Sequence, residues 1–510
     1  MTHPRLLAAA SIVLGLAPCA LMPPRASAQG NSDPLAKVPK LLKVLANDGF
    51  EVLQGQFRIL DPVPMACQGE IPTTWYNNVQ SYMTVVLPGA AGDPVAWETT
   101  KRVLPVTYLP RQDEALLIVG SAPPPMAYFS FQTFLFARYN PATYNYDPAT
   151  GGFFAPYGVT FAYLGDTVNS LTVRTTGSTP YNGPIAFIST GNRQTLQQIQ
   201  AALRAAGYPD ATINTETLPP SLLQFGYQNG DQFLLLWRTA IMVGGEAARD
   251  EYQQRVIDPN LSPLRVFRVR PKIELPGDPL PAPVLRTRGT GQTEMDMYPT
   301  MQKLRQAILG RYSGNFNPEE MTASWPDSAD FYPEGYPAIQ RDVAYLGPGL
   351  DGSGGYGRDA NYRAAPWFDL GPNDFAIAYG VDHATTGKAT YSSISVYLDK
   401  TLAAGVSGAD SSDFAANPGT ASSYLPGAPG IDKFYVWKIA RNCNGEPACT
   451  EAKLLRPQHV AACAPDGLPP KIAPDAPVRL VFRQYAEPAT KVGPADTELL
   501  YERVIVFRAK

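Results

Sequence analysis

The sequence predicts an α+β, β-rich fold: mixed sheets, a β-α-β unit in the N-terminal half, and a mostly β C-terminal half. Three observations predict it. Residues 184–218 run from an apolar strand through a helical repeat into a second strand. Beyond residue 370 the apolar runs are short and separated by turn residues. Proline makes up 51 of 510 residues, and charged residues are 17% of the chain against about 25% in an average domain. That mix favours ordered loops and strands, and the plentiful apolar residues argue against disorder.

The elements follow in order. Arg5, the apolar run Leu6 to Leu21 and the small-residue pattern Ala26-Ser27-Ala28 read as a signal peptide over residues 1–28. Cleavage is expected before Gln29, and the mature chain is expected to be secreted or periplasmic. Asp33-Pro34 caps an amphipathic helix over Leu35, Val38, Leu41, Leu42 and Leu45 that ends at Gly49. Residues 50–60 alternate as a strand. Aromatics crowd Tyr128 to Tyr163, and they read either as core or as a stacking surface for sugar rings.

The β-α-β unit has the clearest signals. Pro184 to Ser189 is a strand, Asn192 a helix cap, and Leu196, Ile199, Ala202, Leu203 and Ala206 recur at helical spacing before Gly207. Ala211 to Leu218 is the second strand. Phe233 to Val243 gives another strand, and Glu246 to Val256 a short polar helix. Residues 271–291 hold Pro271, Pro276, Pro279, Pro281 and Pro283, which belong in neither helix interiors nor central strands. They are the expected connector between an α+β domain, 29–270, and a β-rich domain, 292–510. The basic residues around it, Arg265 to Lys272, Arg286 and Arg288, read as a solvated face. Met301 to Ile308 marks a helix closed by Gly310. Strands are expected at Phe375 to Val381, Ala389 to Tyr397, Val478 to Tyr485 and Leu499 to Phe507. No internal repeat is legible.

The net charge of −3, lowered further once Arg5 and Arg25 are removed, excludes a nucleic-acid partner, which rewards clustered Lys and Arg. No stretch after the signal segment is long and apolar enough for a transmembrane segment. Cys67, Cys443, Cys449 and Cys463 remain after cleavage and read as two disulfides. The turn-rich spacer Asn444 to Ala448 favours Cys443 with Cys449, leaving Cys67 with Cys463. Zinc is disfavoured, with no C-x₂-C pair and two histidines left.

No cofactor is implied. Lys388 follows Gly387 but lacks the other phosphate-loop residues. No G-x-S-x-G or H-E-x-x-H occurs. Asp351, Ser353, Asp359 and Asn361 offer oxygen ligands that would suit Ca²⁺, although they fit no EF-hand. The candidate catalytic residues are His383, Lys388 and Tyr391, on and beside a strand-to-strand loop. Histidine titrates near neutral pH and can act as acid or base; Tyr391 or a nearby serine would assist. His459 is a weaker candidate. The expected function is a cofactor-independent hydrolase or lyase acting on an extracytoplasmic small molecule or polymer. The alternative is a non-catalytic binding protein with an aromatic, carbohydrate-like recognition surface.

Overall fold

A computed structural model describes residues 33–68, 77–89, 107–139, 157–227, 230–321, 357–415 and 420–510. Residues 1–28, where a signal peptide is expected, and Asp351, Ser353 and part of the aromatic band lie outside them. Asp33 Oδ1 accepts from the Leu35 N–H at 2.9 Å and starts a 3₁₀ turn that continues into α1, Val38–Asn47. At Gly55 the expected single strand breaks into β1, Phe50–Gln54, and β2, Gln56–Leu60, which enter different sheets.

Helix α2, Pro62–Cys67, then precedes β3, Gln80–Val86, β4, Ala115–Ser121, and β5, Met126–Tyr139. Next come β6, Tyr157–Tyr163, β7, Val168–Asn169, and β8, Pro184–Thr190. Helix α3, Arg193–Ala206, is capped by Asn192 and stopped by Gly207 at φ 99°, as the sequence predicts. It leads to β9, Ile213–Thr217, parallel to β8. Strand β10, Gln232–Met242, helix α4, Gly245–Ile257, and β11, Leu264–Pro271, complete the first half.

The second half opens with α5, Tyr298–Tyr312, which runs through Gly310 rather than ending there. Its strands are β12, Phe316–Met321, β13, Ala360–Ala364, β14, Phe375–Val381, β15, Tyr391–Leu398, and β16, Ala404–Asp410. Helix α6, Ser411–Phe414, precedes β17, Phe434–Ala440, and β18, Cys449–Glu451. Helix α7, Pro457–Cys463, precedes β19, Val478–Tyr485, and β20, Arg503–Ala509.

The strand orders expose a repeat that the sequence hides. The first half has sheets β1-β11-β4-β8-β9 and β2-β3-β10-β5-β6, and the second has β12-β20-β14-β17-β18 and β13-β19-β15-β16. Each strand of the second set takes the place of one in the first, with the parallel pair β8–β9 answered by β17–β18. The register matches as well. Arg238 on β10 lies between Tyr82 and Ser130, and Arg483 on β19 between Tyr362 and Ser393. Their guanidinium carbons sit 5.2 Å from the centre of the Phe134 ring and 5.6 Å from that of Tyr397. Turns of one kind open β3 and β13, closed by Gln80 N–H to Asn77 O and Ala360 N–H to Gly357 O. Gly120 and Gly380 are also equivalent: a Cβ on either would crowd the backbone where the neighbouring strand, β11 or β20, begins.

Every sheet draws its strands from one side of the proline-rich segment, yet Asp33–Lys510 forms one compact unit. One buried cluster joins Val63, Tyr82 and Phe134 to Ile394, Trp437 and Phe482 across the junction. Cys67–Cys463 ties α2 to α7 there, and Cys443–Cys449 closes a short loop. The proline-rich segment is a strap rather than a free linker. Leu280 N–H bonds Gly191 O at 3.0 Å, and Asp278 O accepts from Arg193 N–H at 2.8 Å. Its basic flank is not simply a solvated face, because Arg268 is buried and bonds Glu114 at 2.8 Å. No described helix is long and apolar enough to cross a membrane.

Candidate functional site

His383 sits at the start of the loop between β14 and β15, where Asp382 bonds Thr385 Oγ1 at 2.8 Å and Ala384 N–H at 3.2 Å. The loop turns the imidazole inward, and its exposure is 0%. Nδ1 lies 2.9 Å from Glu294. Nε2 lies 3.3 Å from Glu502 Oε1, close enough for charge attraction although off the line of a good hydrogen bond. Burial by itself would lower the histidine pKa. The charge of Glu294 and its hydrogen bond to Nδ1, with the nearby Glu502 carboxylate, overcome it and push the value up to about 10. Burial likewise would raise Glu294, but His383, Thr386 and the Leu500 N–H pull its carboxyl below the usual value. At neutral pH this is a buried imidazolium clamped between carboxylates from the two chain segments that flank it.

Lys388, at the far end of the loop, reaches Glu498 at 2.5 Å, Glu487 at 3.0 Å and Thr290 Oγ1 at 2.9 Å. Burial by itself would lower its pKa, but the bonds to Glu498 and Glu487 outweigh it and raise the value above the usual one, so it holds its proton. Tyr391 is fully buried on β15 and stacks on Tyr485 with centroids 4.8 Å apart. Its hydroxyl accepts from Gln80 across the junction, and burial drives its pKa well up. The structure therefore brings His383 and Lys388 to neighbouring carboxylates that flank β20 and its preceding loop, and it directs Tyr391 to the junction instead.

The other candidates are also placed. Tyr128, Phe129, Phe131, Phe134, Phe136 and Tyr163 of the aromatic band are core. Asp359 and Asn361 are buried; Asp359 accepts from Tyr128 and pairs with Arg238, while Asn361 bonds Asp496. Among the described residues no group of three or more His, Cys, Asp or Glu is arranged to hold a metal ion. His459 is buried on α7, with Nε2 2.9 and 3.0 Å from the two Asp61 oxygens.

Asp61 leads to a feature the sequence did not reveal. It lines a cleft of about 890 Å³ where the two halves meet. The walls come from β3 with Asn78, from α4, from β16 with Ser407, and from the chain around the Cys443–Cys449 bridge and the start of α7. Five carboxylates (Asp61, Glu246, Asp250, Glu446 and Glu451) face two guanidiniums, Arg249 and Arg456. Arg249 bonds Asp250 at 2.8 Å and lies 3.4 Å from Glu246, which keeps the α4 wall ordered. Gln253, Gln254 and Gln458 add amides able both to donate and to accept. Each carboxylate already has a basic partner: His459 for Asp61, Lys438 for Glu446, Lys453 for Glu451, and Arg249 for Glu246 and Asp250. The surface is therefore polar and of mixed charge, suited to a hydrogen-bonding ligand. Each wall reads as ordinary in sequence, and only the fold assembles them.

The fold and cleft define a class: a β-rich α+β protein of two topologically equivalent halves with a polar cleft at their junction. No protein-family model matches the chain, and no curated protein matches it. Among solved structures, a crystal structure of an uncharacterized protein from Burkholderia cenocepacia is similar at 9% identity, with a TM-score of 0.36, over 94% of this chain and 91% of that one.

Proposed function

We propose that the chain is an exported, non-catalytic binding protein that takes a small polar molecule or a polymer segment in the cleft between its halves. The observation that carries this reading is the cleft, which both halves build and which polar side chains line. A hydrolase or lyase using His383 as acid and base needs an imidazole open to substrate and titrating near neutrality. The burial of His383 and its pKa of about 10 weigh towards binding. With Tyr128, Phe129, Phe131, Phe134, Phe136 and Tyr163 in the core, recognition would rest on hydrogen bonds and charge rather than on stacking against those rings. Two disulfides agree with an oxidising compartment.

Gln254 is an exposed residue of the cleft wall, so Gln254→Trp plugs the cleft at small cost to folding. A thermal-shift screen with amino acids, diamines, monosaccharides and short peptides as probes should find one that stabilises the native chain. At a hundred times its Kd the gain is about 2.7 kcal/mol, and Gln254→Trp should abolish it. Stabilisation that survives the plug would place binding elsewhere. For export, mass spectrometry of the secreted or periplasmic fraction should find Gln29, free or cyclised, at the N-terminus. An intact Met1 there would defeat the signal-peptide reading.

A further inference from the structure

The repeat gives the cleft a counterpart, also built by both halves, and that counterpart is filled. Asn78 follows the turn residue Asn77 as Arg358 follows Gly357, so Asn78 and Arg358 are equivalent. Asn169 pairs with Ser130 as Asp410 pairs with Ser393. Three residues before each stand Asp166 and Ser407. Helix α4 joins β10 to β11, as residues 486–502 join β19 to β20. Asn78, Ser407 and α4 are walls of the cleft. Their equivalents Arg358, Asp166 and residues 486–502 are walls of a groove occupied by the chain's own strap.

The strap's contacts identify what that groove holds. Asp166 accepts from the Arg286 N–H at 2.8 Å, and Arg358 donates to Arg286 O. Arg288 donates to Ala360 O at 3.0 Å and to Pro494 O at 3.4 Å. Glu498 accepts from the Thr290 N–H at 3.0 Å. Gly165 has room for no side chain without meeting the Pro283 ring, 3.1 Å from where a Cβ would stand. The occupant is thus a peptide without helix or strand structure, held largely through its backbone and carrying two arginines.

We propose, resting on the binding reading above, that the open cleft takes an extended, arginine-bearing polypeptide segment of a partner, seated as the strap is seated in the equivalent groove. Two independent features agree on this occupant. The repeat gives the cleft the walls of a peptide groove, and Glu246 and Asp250 on α4, both largely exposed beside Arg249, can accept from an incoming guanidinium. Walls of amide, hydroxyl and carboxylate groups satisfy backbone N–H groups and guanidinium together.

The test uses the full exported chain and a fluorescein-labelled peptide with the sequence of residues 281–291. Fluorescence anisotropy should show saturable binding. Arg286→Gln with Arg288→Gln in the peptide should weaken it about tenfold or more. Glu246→Lys with Asp250→Lys in the protein should do the same. Both of those side chains are largely exposed, and an unchanged melting temperature will show that the variant folds. Binding indifferent to both changes would overturn the proposal. So would absence of peptide binding while a small polar probe gives a shift that Gln254→Trp abolishes; that result keeps the binding reading and removes the peptide. If neither peptide nor small probe gives a plug-sensitive signal, both readings fall.

Discussion

His383→Ala should destabilise the protein by about 3–5 kcal/mol, the usual cost of removing one partner from a buried charge cluster. Glu294 and Glu502 would be left buried on either side of an empty space, without the cation between them. Denaturant unfolding at pH 7 measures this, and the fall should be a shift in midpoint with unchanged slope. The same clamp makes a pH prediction. Folding raises the imidazole pKa from an ordinary value of about 6.5 to about 10. Its contribution is therefore complete below pH ~6.5 and is lost as pH climbs through about 10, at up to about 1.4 kcal/mol per pH unit. His383→Gln should lack that slope. A His383→Ala protein as stable as the parent, but devoid of ligand binding or turnover, would return this residue to the functional site.

Removing the Cys67–Cys463 bridge by Cys67→Ser with Cys463→Ser should cost far more than removing Cys443–Cys449. The bridges span sequence separations of 396 and 6. Loop-closure entropy then gives upper limits of about 6 and about 2.4 kcal/mol. The long bridge also fastens α2 to α7, both packed at the junction of the halves. Its loss should split thermal unfolding into two transitions, one for each half. A single transition of unchanged midpoint would mean that the junction's apolar cluster holds the halves together without covalent help.

Local signals made much of the fold legible. Asn192, the apolar spacing to Ala206 and Gly207 specify α3 with short-range chemistry alone, and the cysteine pairing followed from the short turn-rich spacer. The repeat was not legible, because what the halves share is strand order and register. Arg238 and Arg483, or Tyr82 and Tyr362, keep their type, whereas α4 in one half stands where a loop lies in the other. The environment of His383 was hidden for a related reason. A loop position promises solvent, but Glu294 and Glu502 arrive from distant segments and remove it. Cleft walls as far apart as Asp61 and Gln458 share no motif, so nothing along the chain marks them as neighbours.

The confinement of each sheet to one half has a consequence for biogenesis. A chain emerging from its N-terminus can complete β1 to β11 before any strand of the second half is available, so neither half's hydrogen-bond ladders wait on the other. Cys67 is different: its partner lies near the far end of the chain, and its native bridge cannot close until α7 has emerged. Oxidation therefore has an intrinsic order, with the Cys443–Cys449 loop able to close first and Cys67–Cys463 last, as a covalent record that the two halves have docked.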